Sequence, residues 1–127
     1  MTLRADVHAV LSGSTAVTAL VGTRITRSKV PQNQPKPYIA YRKVGGPRLQ
    51  VLTGPTGEED ARIEVACFGG TEAEAESVAE AVRGAMSGWR DLTLGVQRSD
   101  LVSEVDFYSE AVEADQVSLD FEILHTE

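Results

Sequence analysis

Chemically reactive side chains are scarce in this chain. Its 127 residues include one cysteine, Cys67, and two histidines, His8 and His125. A lone cysteine excludes an internal disulfide, and these three positions match no zinc-ligand spacing. Nucleophilic catalysis needs a nucleophile, a base within hydrogen-bond reach and an orienting group. His8 falls inside a helical pattern, His125 stands two residues from the end, and Cys67 falls on the apolar side of a strand pattern, where it reads as a core side chain. The glycine-rich pieces Gly45-Gly46 and Gly54-Pro55-Thr56-Gly57 match neither the P-loop nor the dinucleotide fingerprint. The run Glu58-Glu59-Asp60 lacks the alternating ligands of a calcium loop. No apolar run approaches the roughly 20 residues of a spanning helix. The beginning of the chain, with Asp6 and no apolar stretch behind it, is not a secretory signal. The expectation is a soluble single domain over residues 1–127, without catalytic residues, cofactor or metal, that works by binding other proteins.

Positive charge is missing from one whole region: Asp100 to Glu127 contains no Lys or Arg. Up to Gly57 the chain carries Arg4, Arg24, Arg27, Lys29, Lys36, Arg42, Lys43 and Arg48 against Asp6 alone, a net of +7. From Glu58 onward, Arg62, Arg83, Arg90 and Arg98 face 18 acids, a net of −14, and the two parts together give −7. Two readings follow: the charges interleave once the chain folds, or the subunit has a basic and an acidic face and packs head to tail with its copies. The basic first half with Tyr38 and Tyr41 suggests a nucleic-acid patch, but the acidic chain as a whole, pI about 4.8, argues against it.

Periodicity supplies the fold class. Leu3, Val7, Val10 and Leu11 mark a first helix, and Ala16 to Leu20 a short second one closed by Gly22. Arg24–Thr26, Pro37–Val44, Leu49–Leu52 and Ala61–Phe68 read as strands, the Pro-rich 30–37 as a stiff connector, and Thr53–Gly57 as a loop. In 61–68, Ile63, Val65 and Cys67 point one way and Arg62, Glu64 and Ala66 the other, which argues for an antiparallel sheet with one buried and one wet face. Thr71–Ser87 is a helix with a capping box (Thr71, Glu74), an acidic first turn, the stripe Ala75, Val78, Ala79, Val82, Ala85, Met86, and Gly88 as its stop. Three strands follow, around Leu92–Val96, 105–111 and 117–123. Strands that succeed one another without helical crossovers give an α+β class: a twisted antiparallel sheet with an N-terminal helix and one long helix packed on it.

Two surfaces stand out. If 105–111 and 117–123 pair, Asp106, Glu110, Asp120 and Glu122 share a face, a bare acidic surface suited to a basic partner or to a channel that must not hold a polyanion. The stretch 45–60, with Arg48, Leu49, Val51, Leu52, Glu58 and Glu59, reads as a mobile loop that orders against a neighbouring subunit.

The succession Ala19-Leu20-Val21-Gly22-Thr23-Arg24-Ile25, then Pro37-Tyr38-Ile39-Ala40-Tyr41, then Cys67-Phe68-Gly69 leading through Thr71 and an Ala-rich helix to Gly88, resembles the phage tail-completion proteins, also described as tail terminators or tail-to-head joining proteins, of long-tailed phages, prophages and gene transfer agents. The resemblance runs over residues 3 to 124. It implies a twisted antiparallel sheet with packed helices, and a ring, commonly hexameric, that stops the tail tube and joins it to the head while DNA passes through. The implied partners are copies of the chain itself, a tail-tube protein and a head-completion or neck protein, in a virion assembled in the bacterial cytoplasm. No site residue carries over. The alternative is a small-molecule-binding or regulatory α+β domain.

Overall fold

The computed structural model describes residues 3–27, 35–45, 48–51, 54–91, 95–110 and 113–126. In chain order the elements are α1 (Leu3–Gly13), α2 (Thr15–Val21), β1 (Ile25–Arg27), β2 (Tyr38–Gly45), β3 (Arg48–Val51), β4 (Gly54–Gly69), α3 (Glu72–Met86), β5 (Val96–Ser109) and β6 (Ala114–Thr126). The strands form one sheet in the order β1-β2-β4-β6-β5, with β3 paired to β4 on the side of β2. This is the α+β class expected. Every pairing is antiparallel except β1–β2, which is parallel. A parallel pair cannot be closed by a tight turn, and ten residues separate Arg27 from Tyr38. Of the Pro-rich connector, 30–34 lie outside the described residues.

All three helices lie on one face. Their inward side chains, Val7 and Leu11 of α1, Val17 and Val21 of α2, and Ala75, Val78, Ala79, Val82 and Met86 of α3, share one core with Ile39, Ile63, Val65, Cys67, Leu119, Phe121 and Ile123 of the sheet. Each large aliphatic or aromatic side chain buried here contributes roughly 1.5–3 kcal/mol. Ala85, expected in the stripe, is only half-buried. Local signals set the helix ends: Ser14 Oγ accepts from Val17 N (3.4 Å), and Thr71 Oγ1 accepts from Glu74 N (3.1 Å). Glu74 Oε1 in turn accepts from Gly70 N, one residue outside the usual capping box, at 2.8 Å. Gly69, between β4 and α3, has no room for a side chain: a Cβ there would lie 2.5 Å from Ala75 N.

Three expectations are corrected. The strand expected at 61–68 begins at Gly54 and runs 16 residues, because the supposed glycine loop is one arm of a β3–β4 hairpin. The strand expected at 105–111 begins at Val96 as β5 and runs 14 residues; of the strand expected around Leu92–Val96, residues 92–94 lie outside the described residues. The sheet face without helices is not uniformly wet. Tyr38 and Phe68 stack on it with ring centroids 4.7 Å apart and are buried together with Ala66 and Ala114. Burial pushes the Tyr38 hydroxyl pKa upward.

Candidate interaction surfaces

The reactive residues are structural. Cys67 is fully buried, in register with Ile39 on one side and Val117 on the other, and desolvation pushes its thiol far above its ordinary value. Such a thiol is protonated and shielded, the opposite of an activated nucleophile. His8 Nδ1 lies 3.1 Å from the Tyr41 hydroxyl and ties α1 to β2. His125 is buried on β6, and the buried carboxyl of Asp6 on α1 feels its charge. Sequence reasoning missed Asp6, although its place three residues after Leu3 and next to Val7 puts it on the apolar face of α1. Burial raises the Asp6 pKa; the charge of His125 opposes the shift and that of Asp91 adds to it. Ser99 is buried in β5, and among the described residues neither Ser99 Oγ nor Asp6 Oδ1 has a hydrogen-bond partner, whereas a Ser–His–Asp relay is held together by such bonds. Among the described residues no three His, Cys, Asp or Glu side chains converge as metal ligands, and no helix is long and apolar enough to cross a membrane.

The register of β5 on β6 decides the acidic surface. Antiparallel partners share a face, and Val117, Leu119, Phe121 and Ile123 of β6 face the helices. Glu104 stands opposite Leu119, Asp106 opposite Val117 and Tyr108 opposite Asp115, all on the helix side. Ser103 stands opposite Asp120 and Asp100 opposite Glu122, on the helix-free side. Glu110 lies in the turn beyond β5. The four acids expected on one face are therefore divided: Asp120 and Glu122 on one side, Asp106 on the other. An irregularity between Leu101 and Ser103 shifts the register within β5. The apolar alternation of Val105 and Phe107 is also turned outward, leaving both exposed on the helix-free face.

That face is not bare acid either. Arg42 Nε contacts Glu64 Oε1 and Arg98 Nε contacts Asp100 Oδ2, each at 3.1 Å, and Arg62 lies 4.0 Å from Glu122. Of these pairs Arg42–Glu64 joins the basic first part of the chain to the acidic remainder, whereas Arg62–Glu122 and Arg98–Asp100 lie within the acidic part. On the helix side, Arg83 of α3 pairs with Glu104.

Two further surfaces emerge. Segment 88–91 bonds the start of β5 at Val96 and Ser99; beyond it the outer edge of β5 has no strand beside it among the described residues, and Val102, Val105, Phe107 and Tyr108 along it are exposed. The sequence signal was present: 14 residues of strand with neither Lys nor Pro, the usual edge guards. The segment expected as an inter-subunit loop is in its backbone the β3–β4 hairpin, with Arg48 opposite Glu59 and Val51 opposite Gly54; Leu52 lies outside the described residues. The β4–β6 ladder ends at Glu58, so among the described residues Gly54–Gly57 reach past β6 with only β3 beside them.

Helices on one side of a mixed sheet, a patterned opposite face, an open edge strand and a projecting hairpin define a two-layer α+β domain whose features are surfaces for contact. The family described as "Tail completion protein gp17" matches residues 5–126, and the chain belongs to that family. Among solved structures, a chain of the "Virion of native gene transfer agent (GTA) particle" shares the fold with a TM-score of 0.79 and 22% identity, covering 98% of this chain and 95% of that one. No curated protein matches the sequence.

Proposed function

We propose that this tail-completion protein is a structural virion component of a phage, prophage or gene transfer agent that closes into a ring on the end of the tail tube, stops its growth and joins it to the head, with DNA passing through the centre. The observation that carries this reading is the family match over residues 5–126; the fold shared with a chain of a gene transfer agent virion supports it. The role is architectural, not catalytic. A head-to-tail contact between unlike surfaces closes a ring when its rotation divides the circle, and six copies is the number the family resemblance suggests. The remaining partners are the tail-tube protein and a head-completion or neck protein.

In this reading the helix-free face turns toward the channel or the tube. Its arginines Arg42, Arg62 and Arg98 each stand against a carboxylate, Glu64, Glu122 and Asp100, and the register adds Glu58, Asp60 and Asp120 on the same side. A face whose acids outnumber its arginines offers a passing polyanion no net attraction, and affinity for DNA scales with the phosphates a protein neutralises. The β3–β4 hairpin, with Arg48, Leu49, Val51, Leu52, Glu58 and Glu59, serves as an arm to a neighbouring subunit.

The test is the mass of the full chain in solution, alone and with the tail-tube protein of the same particle, followed by negative-stain imaging. Rings, alone or on tube ends, are expected. A monomer under both conditions would overturn the reading. Deleting residues 47–57 should leave a folded protein that no longer assembles.

A further inference from the structure

The two side edges of the sheet are unlike in a way that makes them complementary. One edge is β5; Asp91 bridges Val96 and Gly88 N donates to Ser99 O at its start, and from Leu101 to Ser109 no strand lies beside it among the described residues. Val105, Phe107 and Tyr108 on it are 53, 47 and 56% exposed. The free N–H and C=O groups of such an edge accept another strand; proteins guard it with short length, Lys, Pro, bulges or inward charge, and β5 has neither Lys nor Pro but carries Glu104 and Asp106 on the helix side and an irregularity between Leu101 and Ser103. The other edge is β1, with β3 further along the same side.

Direction, face and charge all match between these edges. The pairings make β2 and β6 run one way and β4 and β5 the other, and β1 runs with β2. A rotation about an axis along the strands therefore brings β1 of one copy beside β5 of the next in antiparallel orientation, the arrangement tight pairing favours. Arg27 stands opposite Tyr41, and Lys43 opposite Ile63, so both basic residues lie on the helix side of the β1–β2 edge. On the β5 edge, Glu104 and Asp106 lie on the helix side as well. A sheet continued from copy to copy keeps its helix faces on one side, so the basic residues of one copy meet the acidic residues of its neighbour.

From this we infer that the outer edge of β5 is the docking surface for a second copy of this chain, which presents its β1 edge with Arg27 against Asp106. The inference rests on the ring reading and names the contact that closes the ring. β1 supplies only a short ladder, being three residues long. The exposed side chains at 105–108 and the opposed charges supply the rest of the contact, and the charges fix its register.

The experiment is a charge swap in the full chain, read by sedimentation velocity alone and with the tail-tube protein, with the thermal midpoint checked for each variant. Asp106→Arg and Arg27→Glu should each weaken self-association about tenfold or more while the midpoint stays put, and the double variant should restore it to within a few-fold of wild type. Assembly of both single variants at wild-type strength overturns the inference and leaves the ring intact. So does failure of the folded double variant to recover. Loss of tube joining with unchanged self-association assigns the edge to the tube protein and likewise overturns it. A wild-type chain that stays monomeric in both conditions removes the ring reading itself.

Discussion

Asp106 and Asp120 stand on opposite faces of the same two-stranded ladder, Asp106 opposite Val117 and Asp120 opposite Ser103. Two acids that look equivalent in the sequence thus meet different surroundings. Their neutralisation should give separable effects. Asp120→Asn with Glu122→Gln alters the helix-free face and should change tube joining or DNA passage while self-association persists. Asp106→Asn should act on self-association. All three side chains are at least partly exposed, so each change should leave unfolding free energy within about 0.5 kcal/mol of wild type. Identical phenotypes from the two faces would remove the distinction.

Phe121 is fully buried in the main core, opposite Ile63 of β4 and Leu101 of β5. Phe121→Ala should cost about 3–5 kcal/mol, because the strands around it cannot collapse into the space. Chemical denaturation should show the midpoint falling with little change in slope. A loss below about 1 kcal/mol would mean that the site repacks.

Gly69 is a second structural test. A methyl group there would press on Ala75 N at 2.5 Å, a backbone atom that cannot swing away. Gly69→Ala should destabilise by about 1–3 kcal/mol through displacement of the first turn of α3. Gly84 is the control, since a methyl group added there would meet nothing within 4 Å. Gly84→Ala, inside the helix, should stabilise by about 0.5–1 kcal/mol. Thermal melts of the two variants should shift in opposite directions.

The capping pair predicts a smaller effect. Thr71→Ala removes the acceptor for Glu74 N and should cost about 1 kcal/mol, whereas Thr71→Ser should cost little. Helical ellipticity near the transition and the unfolding midpoint both report it.

Asp6 gives the chain a pH dependence of known sign. Its native pKa is raised above the ordinary 3.8, chiefly by burial. The native state therefore holds the proton more tightly than the unfolded chain. The stability this confers is complete below the unfolded pKa and is lost as pH rises through the native one. Asp6→Asn removes the titration. The stability of the variant relative to wild type should climb as pH rises from about 3.8 and then level off. Parallel stability curves for the two proteins across this range would contradict the assignment.

The amino-acid order alone determined the features that depend on near neighbours. Thr71 and Glu74 announce the start of α3, Gly22 and Gly88 close two helices with positive φ, and Ile63, Val65 and Cys67 declare the buried side of β4. These follow from periods of 3.6 and 2 and from bonds spanning three or four residues. The family was legible in the same way, from short pieces in a fixed order. Tertiary structure decided whatever depends on pairing between distant strands. A register shift between Leu101 and Ser103 changes which β5 residues face the helices. It sends Val105 and Phe107 outward and parts Asp106 from Asp120, because a single inserted residue exchanges the two faces of a strand. The arginines that meet the acids come from elsewhere in the chain, Arg42 reaching Glu64 across β2–β4 and Arg83 reaching Glu104 from α3. Which edge stays open also follows from the order β1-β2-β4-β6-β5, and no local pattern encodes an order of strands: it emerges only when the whole chain buries its apolar faces together.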